Sequence, residues 1–167
     1  NPKAKASLDN FYARKDTLSF GVCNGCQLMV ELGLLNNTSS TTDARHYAQM
    51  MHNDSHKFES AFVSLAIPEN NSVMFGSLGG FKIGTWVAHG EGKFHLPLDE
   101  SQYNIVAKFN YSGYPGNPNG STYDVAAIAS KDGRHLAIMP HPERTIFPCQ
   151  CGYYPAARVM TDEVSPW

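Results

Sequence analysis

The stretch FGVCNGCQL, residues 20–28, decides how the chain is read. Cys23 stands between Gly21 and Gly25, a second cysteine follows at 26, and Gln27 comes directly after it. The preceding residues, TLSFGV at 17–22, are a short β-rich run. From Gly25 onward, GCQLMVELGLL places Leu28, Met29, Leu32 and Leu35 at helical spacing, with Gly33 near the end. Cys23 therefore falls where a buried strand turns into a helix.

Three chemistries use cysteines in such patterns. Zinc would take Cys23 and Cys26 together with Cys149 and Cys151. A zinc knuckle turns in a loop, whereas Cys23 ends a strand and Cys26 lies inside an amphipathic helix. A thioredoxin-like redox pair also sits at a helix start, but that chemistry has no need of Asn24-Gly25 or Gln27. The third reading is a nucleophile elbow, Gly-x-Cys-x-Gly-x-Gln, in which Cys23 is held on a strained turn above the sheet edge. The glycines then remove Cβ atoms where strand and helix pass closely. The helix N-terminus favours a thiolate, and the Asn24 N–H is placed to serve an oxyanion. In this reading Cys26 packs.

A cysteine nucleophile needs a proton shuttle. MPHPER, residues 139–144, follows a strand-like run at 135–140. Pro140 and Pro142 bias the segment to extended geometry, in which residues two apart share a side. Glu143 then accepts from one nitrogen of His141 and leaves the other for Cys23, the nucleophile–base–orienter logic of a triad. The opposing reading is that His141 is one of seven histidines and packs like the others.

Further along, the order of elements suggests the fold class. AKASLDNFYARK, residues 4–15, spaces Leu8, Phe11 and Tyr12 as a helix. Residues 36–55 are rich in Asn, Ser and Thr and read as a loop, expected to be mobile, with room for short structure. Strands are expected at 57–67, 84–90, 104–111, 123–130 and 135–140, the last two joined as a hairpin by Asp132-Gly133. YPGNPNGS, residues 114–121, is a loop. Helices early and hairpins late indicate an α/β fold, a mixed sheet with an added antiparallel portion.

Composition bounds the partners. The 167 residues suit one domain, 42% hydrophobic and 17% charged, with a formal net charge of −2. With no basic block and no long apolar run, neither nucleic acid nor membrane is expected as a partner. Sequons at Asn36, Asn37, Asn53, Asn70, Asn110 and Asn119 would matter in a secreted protein. The cysteine usage favours a cytoplasmic one.

GVCNGCQ together with PHPE resembles the class I, or triad, glutamine amidotransferases. More narrowly, GVCNGCQLM, WVAHGEGKF, NPNGS, MPHPER and the final SPW, in that order from residue 20 to residue 167, are similar to the glutaminase domains of the phosphoribosylformylglycinamidine synthase family. The resemblance implies Cys23 as nucleophile, His141 as general base and acid, and Glu143 as its orienter. It implies that Asn24 supplies an oxyanion N–H and that Gln27 lines the glutamine pocket. Ala88, His89 and Gly90 match a segment whose backbone holds the α-amino and α-carboxylate groups. NPNGS is expected near the site or the synthetase interface.

The implied reaction is hydrolysis of glutamine to glutamate and ammonia through a Cys thioester. The ammonia passes to an ATP-dependent synthetase domain or subunit that makes formylglycinamidine ribonucleotide in purine biosynthesis. No phosphate-binding loop is present in the chain, so the resemblance puts ATP and magnesium on that synthetase part and no cofactor or metal here. It also implies a fragment, residues 1–167 of one glutaminase domain, without the family's first strand, last helix and a Gly-rich loop carrying a second oxyanion donor. Weak or no activity is then expected of the chain alone. Two alternatives remain: a silent domain kept for interaction, and a Cys-x-x-Cys redox protein. Cys149 and Cys151 match no catalytic position and are read as structural.

Overall fold

The computed structural model describes residues 1–35 and 47–167. Among the described residues, two helices, α1 (Pro2–Ala13) and α2 (Asn24–Glu31), are followed or interleaved by eight strands: β1 (Ser19–Val22), β2 (Gln49–Met51), β3 (Glu59–Ala66), β4 (Lys82–His89), β5 (Lys93–His95), β6 (Asn104–Phe109), β7 (Val125–Ala129) and β8 (His135–Ile138). Six strands form one sheet in the order β1-β8-β7-β6-β3-β4, and β2 pairs with β5 in a second. β1 and β8 run parallel, with Ser19 opposite His135 and Val22 opposite Ile138. The other pairs are antiparallel, including the expected β7–β8 hairpin. The fold is the mixed α/β arrangement indicated by the sequence.

Apolar side chains fill both faces of this sheet. On β8, Leu136 and Ile138 join one cluster with Val63, Leu65, Ile83, Val87 and Phe109. Ala137 and Met139 join the other, with Cys26, Met29, Val30, Phe94 and Tyr103. A strand whose every residue is buried reads as a continuous apolar run, which is how HLAIMP was recognised.

Three local expectations change. The buried stripe of α2 is Cys26, Met29 and Val30, at i, i+3 and i+4. Leu28 and Leu32 each remain about half exposed. The helix stops at Glu31, and Leu32 to Leu35 form a turn, with the Leu34 N–H bonded to the Met29 carbonyl. Nor are residues 47–55 simply loop: β2 lies there, and Asn53 is fully buried. The remainder of that loop reading, with the sequons at Asn36 and Asn37, falls at 36–46, outside the described residues. Among the described residues, no helix is long and apolar enough to cross a membrane.

The large sheet curls strongly. β4 is its far edge, five strands from β1 in the order, yet Trp86 of β4 bridges to His141 just after β8. The His141 N–H bonds the Trp86 carbonyl at 2.8 Å. This closure brings the ends of β1, β8 and β4 to one place.

Candidate active site

Cys23 follows β1 directly and caps α2. Its N–H bonds the Ile138 carbonyl at 2.9 Å, which ties the turn to the end of β8. Its backbone lies at φ 51° and ψ −106°, outside the favoured regions for a residue with a side chain. Gly21 makes the turn possible: a Cβ there would meet Met29 Sδ at 2.4 Å and the Gly25 carbonyl oxygen at 2.7 Å. Gly25 differs from the expectation, since a Cβ at 25 meets nothing within 4 Å. The close approach is of the Gly25 backbone to Gly21, not the reverse.

The sulfur is partly buried, 3.9 Å from the Ala88 carbonyl oxygen on β4. Burial raises the thiol pKa above its ordinary value. The Asn24 N–H and Arg144 act against this, and Glu143 adds to it. Burial outweighs the lowering by the Asn24 N–H in the resting protein.

His141 is 6% exposed, and its Nδ1 lies 2.6 Å from Glu143 Oε1. The segment that makes this contact is not extended. Pro142 opens a 3-10 turn, Pro142–Arg144, that folds Glu143 back toward His141. His141 Nε2 is buried and has no partner among the described residues. A carboxylate accepting at Nδ1 fixes the proton there and leaves a lone pair on Nε2.

The wall opposite is β4 and the segment after it. His89 is 3% exposed, and its pKa is lowered to about 4 by burial and then by the charge of His141. Gln27 reaches from α2 to the Glu91 carbonyl at 2.8 Å, and Asn24 Nδ2 donates to Gln27 Oε1 at 3.2 Å. Gln27 thus ties the helix to the 88–92 segment. Cys26 is fully buried in the core, its thiol pushed well above the ordinary range by burial. That is a poor setting for thiol exchange with Cys23.

A family model described as the CobB/CobQ-like glutamine amidotransferase domain matches residues 1–167. The chain belongs to this family. Phosphoribosylformylglycinamidine synthase of Drosophila melanogaster is 39% identical over 181 residues, covering 100% of the chain and 13% of that protein. The Homo sapiens protein of the same name is 37% identical over 188 residues, covering 100% of the chain and 14% of its own length. The chain thus spans only about an eighth of these relatives. PurLQS from Thermotoga maritima is similar in structure, with a TM-score of 0.63 and 30% identity over 80% of this chain and 54% of that one.

In this amidotransferase domain, three asparagines hold the site's outer wall, and their roles were not read from the sequence. Asn53 donates to the carbonyls of His89 at 2.7 Å and Lys57 at 2.9 Å and accepts from the Gly92 N–H at 3.0 Å. Asn119 contacts His89 Nε2 and the Gly92 carbonyl. Asn117 braces the same loop through the Ser121 carbonyl and Asp124. Asn53 and Asn119 had been noted as sequons, and NPNGS as a loop near the site. Cys149 is exposed and Cys151 partly buried, its sulfur 3.8 Å from the Phe147 carbonyl oxygen. The turn between them serves β4, because Trp86 Nε1 donates to the Gln150 carbonyl at 2.7 Å.

Proposed function

We propose that this domain hydrolyses the side-chain amide of glutamine, with Cys23, His141 and Glu143 as its triad. The observation that carries the reading is the His141–Glu143 hydrogen bond after β8, with a strained Cys23 at the end of the neighbouring strand β1, in a chain of the amidotransferase family.

The thiol proton passes to His141 Nε2 as the sulfur attacks the carboxamide carbon. Burial keeps the resting thiol protonated, so deprotonation accompanies attack. The Asn24 N–H, which favours negative charge on the sulfur, serves the oxyanion that forms. Collapse breaks the carbon–nitrogen bond, and His141 returns its proton to the nitrogen, releasing ammonia. Water then gives a proton to His141 and attacks the thioester carbonyl. The carbon–sulfur bond breaks, glutamate leaves, and the thiol is restored. Glu143 holds the imidazole proton on Nδ1 throughout and stabilises the imidazolium.

Ala88, His89 and Gly90 line the place for the α-amino and α-carboxylate groups, and Gln27 fixes that segment to α2. The names of the relatives extend the proposal. The ammonia is consumed by an ATP-dependent synthetase part that converts formylglycinamide ribonucleotide to its amidine in cytoplasmic purine synthesis. ATP and magnesium belong to that part, and this domain needs no cofactor for the amide hydrolysis.

The test is a diazo-ketone analogue of glutamine followed by mapping of the adduct. One adduct at Cys23, blocked by glutamine, is expected. No adduct, or one at Cys26, would overturn the proposal.

A further inference from the structure

Asn119 lies in the loop between β6 and β7 and is fully buried. Backbone groups orient its amide. Oδ1 receives the Ser121 N–H at 3.1 Å and the Ser121 hydroxyl at 2.7 Å. Nδ2 lies 2.8 Å from the Gly92 carbonyl oxygen, which can only accept. The same NH2 group faces His89 Nε2 at 3.2 Å. An amide NH2 only donates, so Nε2 must present its lone pair, and the single proton of a neutral imidazole stands on Nδ1.

The surroundings hold His89 in that form. Nδ1 is buried without a partner among the described residues, so none of them competes to set the tautomer. A Cβ on Gly92 would come within 2.1 Å of the imidazole at Nε2, so the 89–92 turn wraps closely around the ring. Asn53 clamps the same turn from its other side through His89, Gly90 and Gly92. The Ala88 carbonyl at the start of this turn is the one 3.9 Å from the Cys23 sulfur. Asn119 touches neither Cys23 nor His141 by hydrogen bond, so any influence it has runs through His89 and the turn.

We propose that Asn119 is a positioning residue of the glutamine site, fixing the Nδ1–H tautomer of His89 and thereby the shape of the 88–92 segment against Cys23. This rests on the glutaminase reading for the ligand but not for the tautomer. Neutral His89 is consistent with it, since burial lowers its pKa to about 4. Asn119→Asp is the discriminating change. It keeps the acceptor for Ser121 and the side-chain shape, and replaces the donor facing His89 with an acceptor. With that carboxylate ionised, Nε2 must carry a proton to face it, and the Gly92 carbonyl loses its donor.

The experiment uses the full chain labelled with 15N-histidine. Long-range 1H–15N spectra read each tautomer, and saturation of Cys23 labelling by the diazo-ketone analogue gives half-saturation and limiting rate separately. The unsubstituted chain is expected to show His89 as Nδ1–H. N119D is expected to show Nε2–H and a half-saturation weaker by on the order of 10- to 100-fold, as for a displaced positioning group. An Nε2–H His89 in the unsubstituted chain, a measurement that needs no variant to fold, overturns the proposal. So does N119D with the original tautomer or an unchanged half-saturation. If the analogue fails to label the unsubstituted chain, the glutaminase reading falls and takes Asn119's part in glutamine binding with it, whatever the tautomer.

Discussion

His141 Nδ1 and Glu143 Oε1 are 2.6 Å apart, although the proline between them opens a 3-10 turn rather than an extended run. Glu143 is about half exposed, whereas the imidazole is 8% exposed, so the carboxylate sits at the rim and the ring inside. Because the contact spans two residues of one turn, it is preformed before substrate arrives. Glu143→Gln keeps the size of the side chain and removes the charge that holds the proton on Nδ1. The expected result is a loss of glutamine hydrolysis of roughly 10²–10⁴-fold, with little change in thermal unfolding. Steady-state ammonia release, measured with the synthetase part present, checks it, and a loss under threefold would remove Glu143 from the triad.

Gly21 and Gly25 flank the same cysteine but bear different loads. Gly21→Ala forces a Cβ against Met29 and the Gly25 backbone and should cost about 1–3 kcal/mol. Gly25→Ala meets open space at the start of α2 and should be neutral or stabilising by up to about 1 kcal/mol. Urea unfolding of the two variants checks the contrast, and equal costs would refute it.

Part of this site was legible in the sequence because its logic is local. The Gly-x-Cys-x-Gly turn and the i, i+2 relation of His141 to Glu143 are carried by neighbouring residues. The strands β3, β4, β6, β7 and β8 are apolar enough to show as runs. What stayed hidden depends on the sheet's curl. Trp86 meets His141 only because β4 swings round to the end of β8, and no short spacing encodes that. β2 and β5 have three residues each and are paired only with each other, too short to carry a period. Asn53 and Asn119 look like loop asparagines until the backbone groups they satisfy are assembled around them. Leu28 and Leu32 keep helical spacing but stay half exposed, because the helix turns Cys26, Met29 and Val30 inward.

The second cysteine gives a test of the redox alternative. Cys26 is packed among Met29, Val30 and Phe94, and its thiol has no exposure. Cys26→Ala should lower stability by about 1 kcal/mol through a small cavity and leave labelling of Cys23 by the glutamine analogue intact. A redox role for the pair predicts the opposite, loss of thiol chemistry with stability spared. Intact mass after labelling, together with a denaturant midpoint, separates them.

His89 makes the domain sensitive to acid. In the unfolded chain the imidazole takes up a proton near the ordinary value of 6.5, whereas the folded chain resists until about pH 4 because burial and then His141 disfavour the charge. Between those values the unfolded state binds more protons than the native one, so stability falls as pH falls through the window and is fully present above 6.5. The span corresponds to at most about 3 kcal/mol. His89→Gln lacks the titrating group and should flatten this part of the profile, at some cost in stability at neutral pH from the lost imidazole packing. Urea midpoints of both proteins, measured from pH 7.5 down to pH 4.5, check it. Parallel profiles would mean that His89 does not carry the acid sensitivity.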